Sequence, residues 1–263
     1  MRTLREMTTK LTRFSGRASF YARHRPGYPD AVIRILEQRA DWNPQQTIAD
    51  IGAGTGISSE LFLRHGNTVW GVEPNADMRS EAAHWQARYP EFHLVDGLAE
   101  DTRLPDASVD LVVAATAFHW FDATRCRHEF RRILRPGGRV ALLWNLYQSP
   151  ETPLVRAFEE LAARFGNKGR HSWGRERHNI SKAAARLFGN EKAYDAHYLE
   201  NNERLDFKGL RGRLLSASYV PLPGDDRFEP MLAELHALFA QYASGGFVEL
   251  RYQTAIYLGE LPG

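Results

Sequence analysis

The sequence predicts an α/β fold built on a doubly wound, mostly parallel seven-stranded sheet, and three observations lead to that prediction. Short apolar runs alternate with amphipathic helical patterns through the first half, and each crossover takes about 20 to 30 residues, as parallel strands require. The run Val109–Ala115 is almost wholly apolar, which is typical of a central strand buried on both faces. Three glycines at alternate positions from Gly52 follow the first strand and open a helix.

The elements of the first half follow from these periodicities in order. Asp30 is placed to cap a helix that runs to about Arg39. The other predicted helices are residues 57–65, 76–88 and 123–134, and the predicted strands are residues 47–51, 67–72, 91–95, 109–115 and 139–145. Residues 96–108 read as a polar loop, and Arg135-Pro-Gly-Gly ends the last of these helices.

The second half and the N-terminus are less regular. Helices are predicted at residues 153–165, 208–216 and 228–242, a loose sixth strand at 191–205, and a last antiparallel strand at the sheet edge at 247–258. The glycine-rich, basic stretch 166–178 has no period, so we interpret residues 150–190 as a cap inserted above the sheet. Residues 1–29 are predicted to be an N-terminal arm, in which segment 21–29 is a fixed loop or a lid.

Composition excludes several classes of protein. The 263 residues carry 34 Lys and Arg against 32 Asp and Glu, so the net charge of +2 does not indicate a nucleic-acid or membrane binder. The single cysteine, Cys126, fits a reducing compartment, and we expect it to be an ordinary helix residue. The N-terminus has no apolar leader and the longest apolar run, 111–118, is too short for a bilayer, so we expect a cytoplasmic protein. No His/Cys cluster has metal-ligand spacing, and we expect no metal.

The glycine-rich loop indicates a nucleotide-type ligand. Glycines at 52, 54 and 56 let backbone N–H groups at a helix start approach a negatively charged group. A dinucleotide fingerprint would need glycine where Ile57 stands. Glu73 ends the second strand 21 positions after Gly52, where a carboxylate can accept hydrogen bonds from ribose hydroxyls. Together the loop and Glu73 favour an adenosine-type cofactor.

Several motifs resemble those of a known family. Asp50-Ile-Gly-Ala-Gly-Thr-Gly, Val72-Glu-Pro-Asn, Gly97-Leu-Ala-Glu with Leu104-Pro-Asp-Ala-Ser-Val-Asp, and Leu134-Arg-Pro-Gly-Gly are similar to the ordered motifs of class I S-adenosylmethionine-dependent methyltransferases. More narrowly, Ala117-Phe-His-Trp-Phe-Asp, Arg25-Pro-Gly-Tyr-Pro and Ser216-Ala-Ser-Tyr-Val-Pro resemble the methyltransferase type 11, trans-aconitate-methyltransferase-like group. One departure is Leu98, which stands where many relatives have an aspartate beside the adenine.

The resemblance implies a role for each matching residue of the cofactor site, with S-adenosyl-L-methionine as the cofactor. The residues implied for the methionine portion are Asp50, Gly52, Ala53, Gly54, Thr55 and Gly56. Those implied for the adenosine are Glu73 at the ribose, Pro74, Asn75 and Met78 on its flank, and Ala99 and Glu100 at the adenine. The resemblance also implies a Rossmann-like class I methyltransferase domain over 1–263, with a cofactor-binding core at 30–146 and residues 191–263 completing the sheet.

Thr116 to Trp120, at the carboxyl end of the fourth strand, would then face the sulfonium. In-line transfer depends on positioning, which can save about 7 to 11 kcal/mol, and aromatic faces from Tyr21, Phe118 or Trp120 would each steady the cation by about 0.5 to 2 kcal/mol. His119 is either a base for the acceptor or a residue that only orients substrate or packs under the lid. Tyr21, Arg25, His119 and Trp120 are the candidate acceptor contacts, with Arg25 either anchoring a carboxylate or lying on the surface.

The sequence lacks two features of nucleic-acid methyltransferases, and this restricts the class of acceptor. The fourth strand does not end in the Asn/Asp-Pro-Pro-aromatic motif of adenine amino methylation, and Cys126 is not placed for cytosine chemistry. We therefore expect methyl transfer to oxygen of a small molecule, which the resemblance suggests is a carboxylate, and not to nucleic acid. Two alternatives stay open: an RNA or protein methyltransferase that docks through Arg164, Lys168, Arg170, Arg175 and Arg177, and a non-catalytic protein that binds S-adenosylmethionine.

Overall fold

The computed structural model describes residues 16–148, 152–167 and 173–262, without the side chains of 173–178. Its strands are β1 (Thr47–Ile51), β2 (Thr68–Val72), β3 (Phe92–Val95), β4 (Val109–Ala115), β5 (Leu134–Tyr147), β6 (Tyr194–Glu200), β7 (Glu203–Leu205), β8 (Val248–Leu250) and β9 (Tyr252–Gly259). Its helices are α1 (Ala18–His24), α2 (Ala31–Ala40), α3 (Ile57–Leu63), α4 (Ala76–Arg88), α5 (Ala123–Ile133), α6 (Pro153–Phe165), α7 (Trp173–Phe188), α8 (Phe207–Leu215) and α9 (Phe228–Tyr242), with a short 3₁₀ helix at Phe118–Trp120.

The predicted doubly wound, seven-stranded sheet is confirmed. The strands lie in the order β3-β2-β1-β4-β5-β9-β6, and β3, β2, β1, β4 and β5 pair in parallel. The predicted last strand is antiparallel, as β9 runs antiparallel to β5 on one side and to β6 on the other. The position of β6 outside β9 makes β6 the edge strand. Because the chain reverses strand order between β1 and β4, the carboxyl ends of these two strands flank a crevice where α/β sheets bind ligands.

Helices cover both faces of this sheet. On one face, Val32, Leu36 and Phe62 from α2 and α3 pack on Ile48 and Val113 of the central strands. On the other face, buried side chains from α5 and α7 pack on β1, β4 and β5, including Phe130, Ala184 and Leu187. Asp30 precedes α2 as predicted, but its side chain does not cap the helix; it forms an ion pair with Arg64 at 2.9 Å.

A third apolar cluster forms a cap beside the carboxyl end of the sheet. It joins α6, α8 and α9 with β7 and β8, and its centre is Phe158, Leu210, Leu214, Met231 and Leu235. The predicted cap segment 150–190 belongs to two parts of the fold. Helix α6 packs in this third cluster, whereas α7 packs on the sheet. The expectation that 166–178 lacks regular structure is wrong from Trp173 onward, where α7 begins.

The basic stretch that motivated the docking alternative is only partly described. Arg164 forms an ion pair with Glu234 of α9 at 2.6 Å, with both side chains exposed. Lys168 and Arg170 lie outside the described residues, as do the side chains of Arg175 and Arg177.

The N-terminal segment is anchored to the rest of the chain by helix packing. Residues Tyr21–His24, predicted as part of an irregular segment, are helical within α1, because the prolines that block helix begin only at Pro26. The His24 ring lies directly on Gly212 of α8, so close that a Cβ at Gly212 would be 2.2 Å from it. The Arg17 guanidinium donates to the carbonyls of Leu215, Ala217 and Val220 at the end of that helix. Helix α1 therefore belongs to the cap.

A carboxamide clamp, formed by Asn145, Asn201 and Thr254, holds the turn that follows α1. Asn145 Nδ2 donates to the carbonyls of Pro26 and Gly27 at 3.2 and 3.0 Å, and Asn201 Nδ2 donates to the Gly27 carbonyl at 2.8 Å. Asn145 Oδ1 in turn accepts from Asn201 Nδ2 and from the Thr254 hydroxyl. Of the two alternatives for segment 21–29, these bonds favour a fixed wall.

Two further observations concern expectations from composition. Among residues 16–148, 152–167 and 173–262, no helix has both the length and the apolar character to cross a membrane. Cys126 is buried in α5, and burial raises the pKa of its thiol far above the ordinary value, which makes the thiolate scarce.

Candidate cofactor and acceptor site

The glycine loop between β1 and α3 is built on left-handed backbone. Gly52, Gly54 and Gly56 have φ of 71°, 58° and 80°, a region that residues with a Cβ rarely adopt. The space is also restricted, because a Cβ at Gly52 would lie 2.8 Å from Ala117 Cβ and one at Gly56 would lie 2.6 Å from the Trp85 ring. The glycines thus let the loop fold tightly over the carboxyl end of β1.

Glu73 joins this loop to the end of β2. Its Oε2 accepts the Gly54 N–H at 3.0 Å and its Oε1 accepts the Asn75 N–H at 2.8 Å. The side chain is 9% exposed, and burial raises the pKa of the carboxyl above its ordinary value even though both backbone donors oppose the shift. A carboxylate with one backbone donor on each oxygen retains lone pairs for two further donors. It fits the two hydroxyls of a ribose.

Asp50 and Thr55 carry buried polar atoms that have no partner among the described residues. Asp50 Oδ2 accepts the hydroxyls of Ser58 and Ser59, both at 2.7 Å, whereas its Oδ1 and Thr55 Oγ1 have no hydrogen-bond partner. Thr55 and Ser58 line the cavity that opens beside the loop. Because buried polar atoms are normally hydrogen-bonded, these atoms indicate a polar ligand portion such as an α-amino acid. The residues present therefore fit the cofactor that the resemblance implied.

We expect binding of S-adenosylhomocysteine to weaken as pH falls below about 6. Burial raises the pKa of Asp50 from 3.8 to about 6, and only the charged carboxylate attracts the ligand's ammonium group. Affinity should be constant above pH 7 and fall up to about tenfold per unit below the raised pKa. The stability of the folded chain depends on pH in the opposite sense. Protonated Asp50 contributes its full stabilisation below pH 3.8, and this contribution is lost as pH rises through about 6. Calorimetry of the wild type and Asp50→Asn between pH 5 and 8 checks this, and an identical profile for both proteins would contradict it.

The remaining predicted cofactor residues lie after β2, on α4 and after β3, and none of them lines the cavity beside the loop. Met78 is buried, and its methyl carbon would lie 3.4 Å from a Cβ at Gly54, so it packs against the loop. Asn75 caps α4 by accepting the Met78 N–H at 3.0 Å, and Pro74 lies between β2 and this cap. Ala99 is buried in the sheet core, while Glu100 accepts the Asp122 N–H at 2.8 Å, at the start of α5.

Thr116 and Tyr28 meet at the carboxyl end of β4. Thr116 has a φ of 53°, which is rare for a residue other than glycine, and its N–H donates to Leu143 at 2.7 Å. Strained backbone of this kind concentrates at functional sites. The Thr116 and Tyr28 hydroxyls are 3.0 Å apart, and burial raises the pKa of Tyr28 far above its ordinary value. Both residues line the cavity together with Gly52, so neutral hydroxyl groups face the glycine loop.

The cavity continues from this hydroxyl pair toward the cap. Tyr21 and Arg25, both predicted acceptor contacts, line it, and the Arg25 guanidinium lies 5.0 Å from the centre of the Tyr21 ring. An outer nitrogen of Arg25 donates weakly to the Ser216 carbonyl at 3.4 Å, and its buried Nε has no partner among the described residues.

Sequence reasoning missed the part of the wall that comes from the C-terminal half. Arg213 of α8 lines the cavity, is 6% exposed, and forms an ion pair with Glu203. It also donates to the Tyr252 hydroxyl at 3.4 Å, and Tyr252 stacks on Tyr147 with ring centres 4.6 Å apart. The available signal was the apolar helical period of 208–216, in which an arginine stands at a buried position. The other cavity residues that were missed are Asn145, Phe158, Glu159, Ala162, Ala217 and Tyr219.

His119 and Trp120 are not brought to this cavity. They belong to the 3₁₀ helix after β4, their rings contact each other at 4.7 Å, and His119 is exposed. Neither residue lines the cavity, because Phe118 is the residue of this turn that enters the sheet core.

The fold and the site define a class of protein. A seven-stranded sheet with one antiparallel strand next to its edge, a glycine loop after β1 and a carboxylate at the end of β2 form a class I S-adenosylmethionine-dependent methyltransferase domain.

Comparison with known proteins agrees with this class. Residues 49–142 match a family model described as "Methyltransferase domain". An uncharacterized methyltransferase of Mycobacterium tuberculosis is 35% identical over 154 residues, which is 59% of this chain and 60% of the relative. The match thus spans about 60% of the length of this relative.

Solved structures resemble the chain over a longer range. A candidate type II methyltransferase from Anaeromyxobacter dehalogenans has 27% identity and a TM-score of 0.65, covering 91% of this chain and 99% of that one. A candidate methyltransferase from an antibiotic biosynthesis pathway of Anabaena variabilis has 22% identity and a TM-score of 0.60, covering 92% of this chain and 100% of that one. The second likeness concerns the fold alone.

Proposed function

We propose that this protein transfers a methyl group from S-adenosylmethionine to a carboxylate oxygen of a small acceptor. The observation that carries the proposal is a pair of guanidinium groups in the cavity beside the glycine loop. The Nε atoms of Arg25 and Arg213 are both buried and have no hydrogen-bond partner among the described residues. Because a buried donor without a partner is costly, two of them at one cavity favour an anionic ligand there.

The chemistry requires little of the protein beyond positioning. Bound S-adenosylmethionine supplies a methyl group on a positively charged sulfur, and transfer to a carboxylate oxygen leaves a neutral thioether and a neutral ester with no proton to remove. The glycine loop, Asp50 and Glu73 would hold the cofactor on one side, and Arg25 would orient the carboxylate on the other. The Thr116 and Tyr28 hydroxyls, which are bonded to each other, line the same cavity as the glycine loop and Arg25.

The ionisable side chains that line the cavity favour a carboxylate acceptor over an alcohol acceptor. A hydroxyl acceptor needs a base, but Tyr28, Tyr147 and Tyr252 all have pKa values raised by burial and stay protonated. Glu159 of the cap helix α6 is the one carboxylate among the described residues that line the cavity, so it is the single group there that a hydroxyl acceptor could use as a base. A carboxylate is already ionised at neutral pH and needs no base.

Methyl transfer to small carboxylic acids is the test. The purified chain is incubated with S-adenosylmethionine labelled in the methyl group and a panel of acids, amines and phenols, and the product is identified by mass spectrometry. We expect label in an alkali-labile ester formed only from acids. Label in an amine or phenol would contradict the choice of acceptor, and the absence of any labelled product, with S-adenosylhomocysteine still bound, would support a non-catalytic binding protein.

A further inference from the structure

We infer that the acceptor is a planar, largely apolar monocarboxylate, and that polycarboxylates are excluded from the site. The inference rests on the proposed function and specifies the substrate class of the same cavity. It comes from the side chains that surround the two arginines, which are mostly aromatic and carry little net charge.

Six aromatic side chains of the described residues line the cavity. Tyr147 and Tyr252 are stacked at 4.6 Å with an angle of 22° between their rings, and this pair is backed by the apolar cluster of the cap. The other aromatic residues of the wall are Tyr21, Tyr28, Phe158 and Tyr219. Aromatic rings favour flat apolar partners through stacking and edge-to-face contacts. A flat, unsaturated or aromatic body therefore matches this wall.

The hydroxyls of three of these tyrosines are already engaged inside the protein. The Tyr252 hydroxyl donates to Tyr147 at 3.2 Å and accepts from Arg213, and the Tyr28 hydroxyl is bonded to Thr116. Because these groups bond to one another, the walls offer mainly ring carbons to a ligand. A polar acceptor body would lose hydrogen bonds to water on entering and would regain few of them.

The charge around the cavity suits a single anion. Arg25 and Arg213 are the cations among the described residues that line it, and Glu159 lines it as well. Arg213 is in addition paired with Glu203, which compensates its charge. The charges of these two arginines and two glutamates sum to zero, so one carboxylate on Arg25 is balanced by the positively charged sulfur of bound S-adenosylmethionine. A second carboxylate on the same molecule would face Glu159 or the tyrosine rings without a partner of its own, which is unfavourable in a buried site.

Steady-state kinetics with four acids test the inference on the wild type and on variants at two adjacent residues. Benzoate and cinnamate are compared with butanedioate and propane-1,2,3-tricarboxylate at saturating S-adenosylmethionine, with kcat/KM as the readout. We expect the aromatic monocarboxylates to exceed the aliphatic polycarboxylates by at least about tenfold. Glu159→Gln removes the negative charge and should raise kcat/KM for butanedioate relative to benzoate by about fivefold or more, since a like charge near a ligand costs about this much. Glu160→Gln, which changes the adjacent residue outside the cavity lining, should leave the ratio unchanged.

The outcomes separate this inference from the proposed function. Preference for a polycarboxylate, or an unchanged ratio in Glu159→Gln, would overturn the inference while methyl transfer to an acid still stands. Transfer to none of the four acids by a chain that binds S-adenosylhomocysteine would overturn both.

Discussion

Replacing Glu73 by alanine should weaken binding of S-adenosylhomocysteine at least about 100-fold. Two ribose hydroxyls would each donate to this buried carboxylate, and a hydrogen bond to a charged group contributes about 1.5 to 3 kcal/mol. At micromolar S-adenosylmethionine, methyl transfer by the alanine variant should be almost abolished. Glu73→Gln keeps an acceptor oxygen but adds an N–H group facing the donors, so we expect it to bind only slightly better than the alanine variant. Calorimetric titration gives the affinities directly.

The control separates cofactor contact from damage to the loop, since Glu73 also accepts the Gly54 and Asn75 N–H groups. Asp77→Ala removes an exposed carboxylate from the first turn of α4, four residues further along, and should bind like wild type. Thermal unfolding of both variants shows whether they remain folded. Wild-type affinity in a folded Glu73→Ala would remove the ribose role from this residue.

Replacing Arg25 by glutamine should lower kcat/KM for the acid acceptor about 10- to 200-fold and leave the affinity for S-adenosylhomocysteine within about twofold. The range follows from the loss of a charge-assisted hydrogen bond of about 1.5 to 3 kcal/mol. The cofactor affinity is spared because Arg25 lines the cavity and bonds to the Ser216 carbonyl, whereas Glu73 bonds to the glycine loop. Steady-state kinetics on the best acid of the panel, with calorimetry in parallel, measure both quantities.

Arg23→Gln is the matched control for this experiment. Arg23 is exposed in the last turn of α1, two residues before Arg25, does not line the acceptor cavity, and bonds through Nε to the Ser19 carbonyl at 3.0 Å. Its variant should keep the wild-type kcat/KM. Equal losses in the two variants would mean that the general charge of α1, and not a contact of Arg25, determines acceptor use.

The fold could be predicted because its signals are local. The limits of β4, α4, α6 and α9 agree with the prediction. Strand β4 is one almost wholly apolar run, and each of the three helices places its buried residues at a helical period. The cofactor side of the site was predictable for the same reason: Gly52–Gly56 and Glu73 lie at fixed offsets from two consecutive strands. Three local predictions were wrong. Helix α7 begins where glycine and histidine obscured the helical period, β5 already includes Arg135-Pro-Gly-Gly, and the single strand expected at 191–205 is divided into β6 and β7.

The acceptor side was not predictable in this way. Arg213 and Tyr252 join Arg25 only because α1, α8 and β9 pack together in the cap and sheet, and such contacts leave no periodic signal in the sequence.

His119 is a residue that the sequence suggested for the site and that the structure places outside the cavity. Its place directly after β4 made it a candidate base, but the 3₁₀ turn buries Phe118 and leaves the imidazole exposed. Which side chain of a short turn faces inward depends on tertiary packing.

The carboxamide clamp has a consequence for how the chain assembles. Asn145 and Asn201 bind the Gly27 carbonyl across separations of 118 and 174 residues, whereas Gly54 and Glu73 are 19 residues apart. Contacts that close long loops carry a larger entropic cost and tend to form late in folding. We therefore expect the nascent protein to complete its cofactor cradle before its acceptor wall, so that the choice of substrate is the last property the folding chain acquires.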